Sequence, residues 1–172
     1  TLHASLTAAG QGVHVGPMSG FAPERYARAE RIIVLAATYG DGAAPASAKG
    51  FLDRMNASAP APDIPMALLG FGDRSFPAYC AFAKAVAAAA QAKGWAELMP
   101  LDTIDRQSPQ DFARWGRALG EMLGADIDIK YRITDLPQYL GVTDAVTSAE
   151  DPEQLLRAIA EQQVTYFFAT NN

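Results

Sequence analysis

Two short segments combine glycine, an acidic residue and an aromatic ring in a way that suits ligand binding: residues 37–42 (ATYGDG) and 70–76 (GFGDRSF). Each follows an apolar run typical of a buried parallel strand and precedes a helical pattern. In an open α/β sheet, ligands bind in the crevice beyond the carboxyl ends of the strands. Tyr39 and Phe76 could stack on the two faces of a flat ring. The two segments therefore predict a site for a planar ligand, and we expect a flavin.

The glycines of both segments have an expected role in the backbone. Gly40 and Gly42 allow a positive φ and a close approach of main-chain groups to a ligand, and Gly70 and Gly72 are expected to do the same in the second segment. Asp41, placed near the ring, would disfavour a negatively charged reduced flavin and so lower its potential.

Each of these interpretations has a simpler alternative. Residues 37–42 could form a tight turn with a surface tyrosine, and Phe76 could be a core residue below its loop. Tyr79 is a second candidate for stacking. Asp105, beyond a later strand, could approach the flavin or be a surface carboxylate.

The elements that would position these loops can be read from periodicity and from start and stop signals. Strands are predicted at 12–18, 31–36, 64–69 and 97–101, and helices at 2–9, 47–55, 77–93 and from Ser108 to Met122. Ser108 and Pro109 form a cap and first-turn pair. Residues 1–123 therefore predict an α/β domain with a doubly wound parallel sheet.

Residues 124–172 have a different pattern and are predicted to form an extension. It comprises a half-exposed strand at 126–133, a loop at 135–147, a helix at 151–162 and a strand at 164–169. The last of these is apolar enough to lie inside a sheet, so the extension could complete the sheet of the first domain.

Composition limits the classes of function. Of the 172 residues, 49% are hydrophobic and 19% charged, which is typical of a folded domain. The net charge of −5 and the lack of a Lys/Arg cluster argue against nucleic acid as a partner. No membrane segment is visible. The mildly acidic surface could dock a basic partner, although most acidic proteins are merely soluble.

Cysteine and histidine indicate no metal or disulfide chemistry. Cys80 is the single cysteine, so a reducing, cytoplasmic compartment is expected. It is predicted on the first turn of a helix, where a thiolate would be favoured, but a structural role is the preferred interpretation. His3 and His14 lack further ligands at metal spacing. We find no catalytic acid–base or nucleophile constellation.

Residues 37–42, with Pro45, Ala48 and Phe51 downstream, resemble the second flavin loop of the flavodoxin family, and residues 70–76 with Tyr79 and Cys80 resemble the third. The resemblance extends over about residues 1–123 and is greatest to the FMN domain of diflavin reductases, such as the sulfite reductase flavoprotein subunit. Phe76 stands where flavodoxins usually have tyrosine. Together, loop chemistry and resemblance assign these residues to the cofactor: Thr38, Tyr39, Gly40, Asp41, Gly42, Gly70, Phe71, Gly72, Asp73, Phe76, Tyr79 and Asp105.

The resemblance implies an FMN-binding domain that passes electrons from an FAD/NADPH reductase module to a redox acceptor protein. Such a domain would be part of an NADPH-dependent oxidoreductase. The alternative is a flavodoxin-fold interaction or regulatory module that binds no flavin. A self-contained NAD(P)H-dependent quinone or azo-type reductase is a third class, but no nicotinamide site supports it.

One family feature does not occur in the sequence. Flavodoxins hold the FMN phosphate with a Thr/Ser-x-Thr-Gly-x-Thr loop between the first strand and the first helix, and here both the strand and the loop are missing before residue 2. One hypothesis is that the strand at 164–169 fills the first-strand position, either in a permuted order or from a neighbouring chain, with Thr170, Asn171 and Asn172 leading on towards Thr1. The glycine of the usual phosphate loop is absent from this segment. The rival interpretation is a truncated or partial chain whose tail lies elsewhere.

Overall fold

The computed structural model describes residues 2–22, 29–39, 41–58 and 64–127, and the backbone of 166–170. In chain order its strands are β1 (Val13–Pro17), β2 (Arg31–Ala37), β3 (Met66–Gly72), β4 (Glu97–Asp105) and β5 (Tyr166–Thr170). Its α-helices are α1 (Leu2–Ala8), α2 (Phe51–Ala57), α3 (Ala81–Ala92) and α4 (Pro109–Leu123), and Met18–Gly20 and Ala46–Ala48 are single 3₁₀ turns.

The five strands form one sheet in the order β1-β5-β2-β3-β4. β2, β3 and β4 are parallel neighbours. β1 runs in the same direction, because both β1 and β2 are antiparallel to β5. The α/β class with a parallel sheet that the sequence predicts is therefore confirmed. The carboxyl ends of β2, β3 and β4 lie at one edge of the sheet, which we call the carboxyl edge.

β5 lies between β1 and β2, in the interior of the sheet, but it runs against its neighbours. Thr170 is opposite Val13 and Arg31, the first residues of β1 and β2. The carboxyl end of β5 is thus at the amino edge, away from the glycine-containing loops. The expectation that this strand leads through Thr170 into a phosphate loop is wrong in direction, because that loop requires a parallel strand. Asn171 and Asn172 lie outside the described residues.

The sheet is covered on both faces by apolar side chains. The core on one face contains Ile32, Val34 and Leu68 with residues of α2 and α3. The core on the other face contains Ile33, Leu35 and Leu69 with residues of α1 and α4. Buried residues follow one another without interruption along β2 and through most of β3 because both faces are covered.

Several predicted boundaries shift. α3 begins at Ala81 rather than at Pro77, since residues 77–80 form turns, and β3 and β4 extend beyond their predicted ends to Gly72 and Asp105. The predicted strand at 126–133 has no strand at its two described residues, 126 and 127, and its remainder, the loop at 135–147 and the helix at 151–162 lie outside the described residues. The division at residue 123 stays a prediction.

None of the helices within the described residues is both long and apolar enough for a membrane span.

Candidate functional site

The loop after β2 forms a compact turn at the carboxyl edge. The amide of Tyr39 donates to the carbonyl of Ala43 at 3.0 Å, and the amide of Gly42 donates back to the carbonyl of Tyr39 at 2.6 Å. The Asp41 carboxylate accepts from the Ala43 amide at 3.2 Å. Gly42 has a φ of +97°, which glycine adopts at least cost. Gly40 lies outside the described residues.

Thr38 connects this loop to the loop after β3. Its amide donates to the carbonyl of Phe71 at 3.0 Å, and its hydroxyl accepts from the Phe82 amide at 3.1 Å. Cys80, at the cap position of α3, has a φ of 52° and provides no side-chain cap. The Thr38 hydroxyl therefore caps α3 from a neighbouring loop and is committed to the helix.

Gly70 and Gly72 have a role other than the predicted one. Neither has a positive φ. A Cβ on Gly70 would lie 2.7 Å from the Cβ of Ala83, and one on Gly72 would lie 3.0 Å from the amide nitrogen and Sγ of Cys80. Both glycines allow the start of α3 to pack directly on β3. The expectation that they reach positive φ for a ligand is wrong.

Phe71 lies on the α4 side of the sheet. Its ring centroid is 6.0 Å from that of Phe112, whose ring is stacked on Trp115 at 6.4 Å. Phe71 is partly buried against the core that also contains Leu69 and Ile104. The structure thus places this side chain in an aromatic group under α4.

The loop after β3 begins with a turn organised by Asp73. Its Oδ1 accepts from the Ser75 amide and the Ser75 hydroxyl, both at 2.7 Å, and from Arg106 Nε at 3.2 Å. These contacts hold the pKa of Asp73 below its ordinary value. The hydrogen bonds from Ser75 are the largest cause, and the bond from Arg106 contributes further. The turn continues through the Phe76 amide, which donates to the carbonyl of Asp73 at 3.1 Å.

Phe76 projects from this turn. Phe76 is 49% exposed. Among the described residues, the other exposed large hydrophobic residue is Met122, at 53%. The expectation of a core residue below the loop is wrong for Phe76. Phe76 is thus a half-exposed aromatic ring at the carboxyl edge, and such a ring is accessible for stacking.

Tyr79 is in a different environment. The Arg74 guanidinium lies 5.4 Å from the centre of its ring and Lys84 Nζ lies 5.6 Å away. The ring also packs against the core on the α3 side. Tyr79 therefore already has neighbours within the chain, whereas Phe76 offers more open surface.

The two loops are in contact. A Cβ on Gly42 would lie 3.1 Å from the Cβ of Ala78 and 3.3 Å from that of Ala81. Tyr39 is thus flanked by Thr38 and Gly42, both of which touch the segment that follows Phe76. The structure brings the two predicted loops together at the carboxyl edge.

The turn between β4 and α4 lies at the same edge, and sequence reasoning assigned it only Asp105. Asp105 Oδ1 accepts from the Arg74 amide at 2.9 Å, and the Arg106 amide donates to the carbonyl of Gly72 at 2.8 Å. Arg106 and Gln107 have φ values of 48° and 56°. With Cys80, they are the non-glycine residues with left-handed φ in the described part of the chain, and such strain concentrates at functional sites. No sequence signal identified Arg106, because an arginine in the sequence does not predict a left-handed backbone conformation.

Cys80 is buried under the loop rather than exposed at a helix terminus. Burial raises the pKa of its thiol, with smaller opposing contributions from Tyr79 and Lys84. The expectation that helix position favours a thiolate is wrong, because α3 begins after this residue and desolvation dominates.

The comparisons with known proteins agree with this geometry. The family model for flavodoxins matches residues 1–115. The fold and the two loops at the carboxyl edge define a flavodoxin-like domain, and the chain belongs to the flavodoxin family. Proteins of this family bind flavin, usually FMN, and their general function is electron transfer through it. Comparison with curated proteins gave no match.

Among solved structures, the chain is similar to oxidised flavodoxin 1 from Bacillus cereus. The TM-score is 0.53 at 20% identity, and the match covers 62% of this chain and 72% of the other. This similarity supports the fold. The resemblance to diflavin reductases in particular stays a prediction.

The residues at the carboxyl edge have the chemistry to stack on the ring of a flavin. An exposed phenylalanine and the Tyr39 turn lie on loops in contact, so a planar group could rest against both. The described residues do not form a site for the FMN phosphate. β5 runs towards the amino edge. In addition, Thr38 caps one N-terminal amide of α3, and Ser108 caps one of α4. We assign no described residue to the phosphate.

Proposed function

We propose that this chain is an FMN-binding electron-transfer domain with its ring site between residues 38–42 and 73–76. The observation that carries the proposal is Phe76, 49% exposed on a hydrogen-bonded turn. Ala78, two residues after Phe76, lies against Gly42 of the Tyr39 turn. Exposing an aromatic ring to water is unfavourable unless something covers it, and a flat cofactor would cover it.

The two aromatic residues would orient the ring and exclude water from its faces. Offset stacking does not need a hydroxyl group, so Phe76 suffices where related proteins have tyrosine. Bound FMN supplies one- and two-electron chemistry, while the protein sets orientation and potential. The chain needs no acid–base residue for that role.

Charge near the ring is the protein's means of setting the potential. Asp41 is exposed, and its carboxylate accepts from the Ala43 amide of its own turn, so a negative charge there would oppose a negatively charged reduced ring. Asp73 differs, because Arg106 lies beside it at 3.2 Å and offsets its charge. Of these two carboxylates, Asp41 is the one that would lower the potential.

We further propose that electrons arrive from an FAD/NADPH reductase module and leave to a redox acceptor protein. The net charge of −5 supports docking to a basic surface, since complementary charge speeds encounter. The half-exposed ring of Phe76 lies where such a partner would approach the cofactor.

The test is a titration of the 172-residue chain with FMN, followed by absorbance and flavin fluorescence. We expect saturable binding, and we expect Tyr39→Ala and Phe76→Ala each to weaken it by about 1–2 kcal/mol, or roughly five- to thirtyfold in Kd. Met122→Ala is the matched control, since Met122 is equally exposed but lies at the far end of α4. Unchanged affinity in both aromatic variants would remove the ring site from the account.

One observation favours a second candidate, an interaction or regulatory module that binds no flavin. The central β5 runs opposite to the strand that would lead into a phosphate loop. The same titration separates the two candidates, because that module would leave FMN fluorescence unchanged at every protein concentration.

A further inference from the structure

The loop that carries Phe76 is held from the side by the turn between β4 and α4. The Arg74 amide donates to Asp105 Oδ1 at 2.9 Å, and Arg106 Nε donates to Asp73 Oδ1 at 3.2 Å. The Arg106 amide donates to the carbonyl of Gly72 at 2.8 Å, where the loop leaves β3. Three hydrogen bonds therefore join residues 72–74 to residues 105 and 106.

The backbone of the β4–α4 turn is strained in the conformation that makes these bonds. Arg106 and Gln107 are both left-handed, which costs L-residues about 1–2 kcal/mol each. The turn is closed by the Ser108 amide, which donates to the carbonyl of Asp105 at 3.0 Å. Such a conformation persists only where the surroundings fix it, and the bonds to residues 72–74 are part of those surroundings.

Asp105 supplies the side-chain acceptor that the β4–α4 turn offers to the Phe76 loop. Its Oδ1 is used by a main-chain amide of the Phe76 loop, so its carboxylate faces the protein backbone. The sequence placed Asp105 among residues that contact the cofactor. The geometry instead gives it a partner two residues before Phe76.

We propose that Asp105 is a positioning residue: by accepting from the Arg74 amide it holds the 73–76 loop in the conformation that presents Phe76 to the ring. This inference rests on the proposed function. Since the required property is a hydrogen-bond acceptor at the Oδ1 position, a neutral amide can replace the carboxylate. A residue that acts on the flavin through its charge would not tolerate that change.

The experiment compares Asp105→Ala, Asp105→Asn and the control Asp102→Ala in the full chain. Asp102 lies on the same strand and pairs with Arg114 at 2.8 Å, away from the 73–76 loop. Trypsin cleavage after Arg74 reports loop opening in the absence of flavin. Far-UV circular dichroism verifies that each variant is folded.

We expect Asp105→Ala to be cleaved after Arg74 roughly tenfold faster than the unaltered chain, because a hydrogen bond to a charged group has been lost. Its Kd for FMN should rise by roughly five- to tenfold. Asp105→Asn should stay within about threefold of the unaltered chain in both measurements, because the amide oxygen still accepts. It should also leave the midpoint potential of bound FMN unchanged, because a positioning residue acts through the loop and not through its charge on the ring. Asp102→Ala should match the unaltered chain.

Two results would overturn the inference. Equal cleavage in Asp105→Ala and the unaltered chain would show that the bond does not hold the loop. A shifted midpoint potential in Asp105→Asn with unaltered cleavage would show that the charge acts on the flavin directly. Failure of the unaltered chain to bind FMN contradicts the proposed function instead, and the cleavage rates then still decide whether Asp105 holds the loop.

Discussion

At the scale of single residues, the site depends on small side chains that let α3 lie directly on β3. Gly70 and Ala83 approach so closely that a Cβ on Gly70 would be 2.7 Å from the Cβ of Ala83. Real Cβ atoms do not approach to this distance, so the helix or the strand would have to move. The loop with Phe76 lies between these two elements and would move with them.

Gly70→Ala should therefore lower the free energy of unfolding by about 1–3 kcal/mol, as expected for overpacking in a close-packed core. Gly20→Ala is the matched control, because its nearest atom would be Pro17 Cγ at 3.9 Å and its φ is not positive. Urea denaturation of both variants measures the difference. Equal stability of the two variants would contradict the packing described for α3.

The Cys80 thiol predicts how the free energy of unfolding changes with pH. Burial raises the pKa of the Cys80 thiol in the folded state above its ordinary value of 9.0. The protonated thiol therefore contributes to the free energy of unfolding in full below pH 9.0, and this contribution is lost as the pH rises through the raised pKa. Between pH 7 and pH 10 the unaltered chain should lose more unfolding free energy than Cys80→Ala. Native Cys80 should also resist iodoacetamide at pH 8 and react once urea unfolds the chain.

If the unaltered chain and Cys80→Ala lose the same unfolding free energy between pH 7 and pH 10, the thiol has the same pKa in the folded and unfolded states. Rapid native labelling would likewise show that Cys80 is accessible.

Residue types predicted which loops come together at the carboxyl edge better than they predicted the local conformation of each residue. The 37–42 and 70–76 segments do meet at the carboxyl edge, and an aromatic side chain is exposed there. The positive φ expected of Gly70 and Gly72 is absent, and their packing depends on neighbours distant in sequence, Ala83 and Cys80. The bond from the Arg74 amide to Asp105 likewise joins residues far apart in the chain. Periodicity along one element contains no information about such neighbours.

At the scale of elements, α3 is fixed by a cap that comes from another loop. The Thr38 hydroxyl accepts from the Phe82 amide, while Cys80 itself turns through a left-handed conformation. This contact couples the start of α3 to the loop of Tyr39, so both halves of the proposed ring site share one hydrogen bond.

Thr38→Val should remove the cap and cost about 1 kcal/mol of stability, whereas Thr38→Ser should retain most of it. Hydrogen exchange of the Phe82 amide is the specific measurement, and it should accelerate in the valine variant alone. Unchanged protection of that amide in Thr38→Val would show that the cap does not hold the helix.

Local signals predicted one helix start and failed at the other. Ser108 caps α4 by accepting from the Asp111 amide at 3.2 Å, with Pro109 at the first position, as the sequence predicts. Pro77 gave the same type of signal for α3, yet the helix begins at Ala81. The Asp73 turn and the left-handed Cys80 occupy the intervening residues, and the cap is supplied by Thr38 from 44 positions away.

At the scale of the whole molecule, β5 is an interior strand, second from one edge of the sheet, and runs against its neighbours. Phe168 is opposite Val15 on one side and Ile33 on the other. The composition of this segment predicts a strand in the sheet, but composition contains no information about direction, because an apolar strand reads alike both ways. The direction therefore could be found only from the pairing.

Phe168→Pro should destabilise the chain by about 3 kcal/mol or more, since proline in a central strand removes a ladder hydrogen bond. Phe168→Ala is the control that keeps the main-chain amide, so the excess loss in the proline variant measures the backbone contribution. Thermal and urea unfolding give both values. Equal stability of the two variants would place β5 outside the sheet.

The most direct test of the central claim is to map FMN binding by amide chemical shifts in the isotopically labelled 172-residue chain. We predict that the largest shifts fall on residues 38–42 and 73–79 at the carboxyl edge, and that the amides at the opposite edge, including Val13 and Arg31, change little. Shifts concentrated away from those two loops, or no shifts at saturating FMN, would contradict a flavin site between Tyr39 and Phe76.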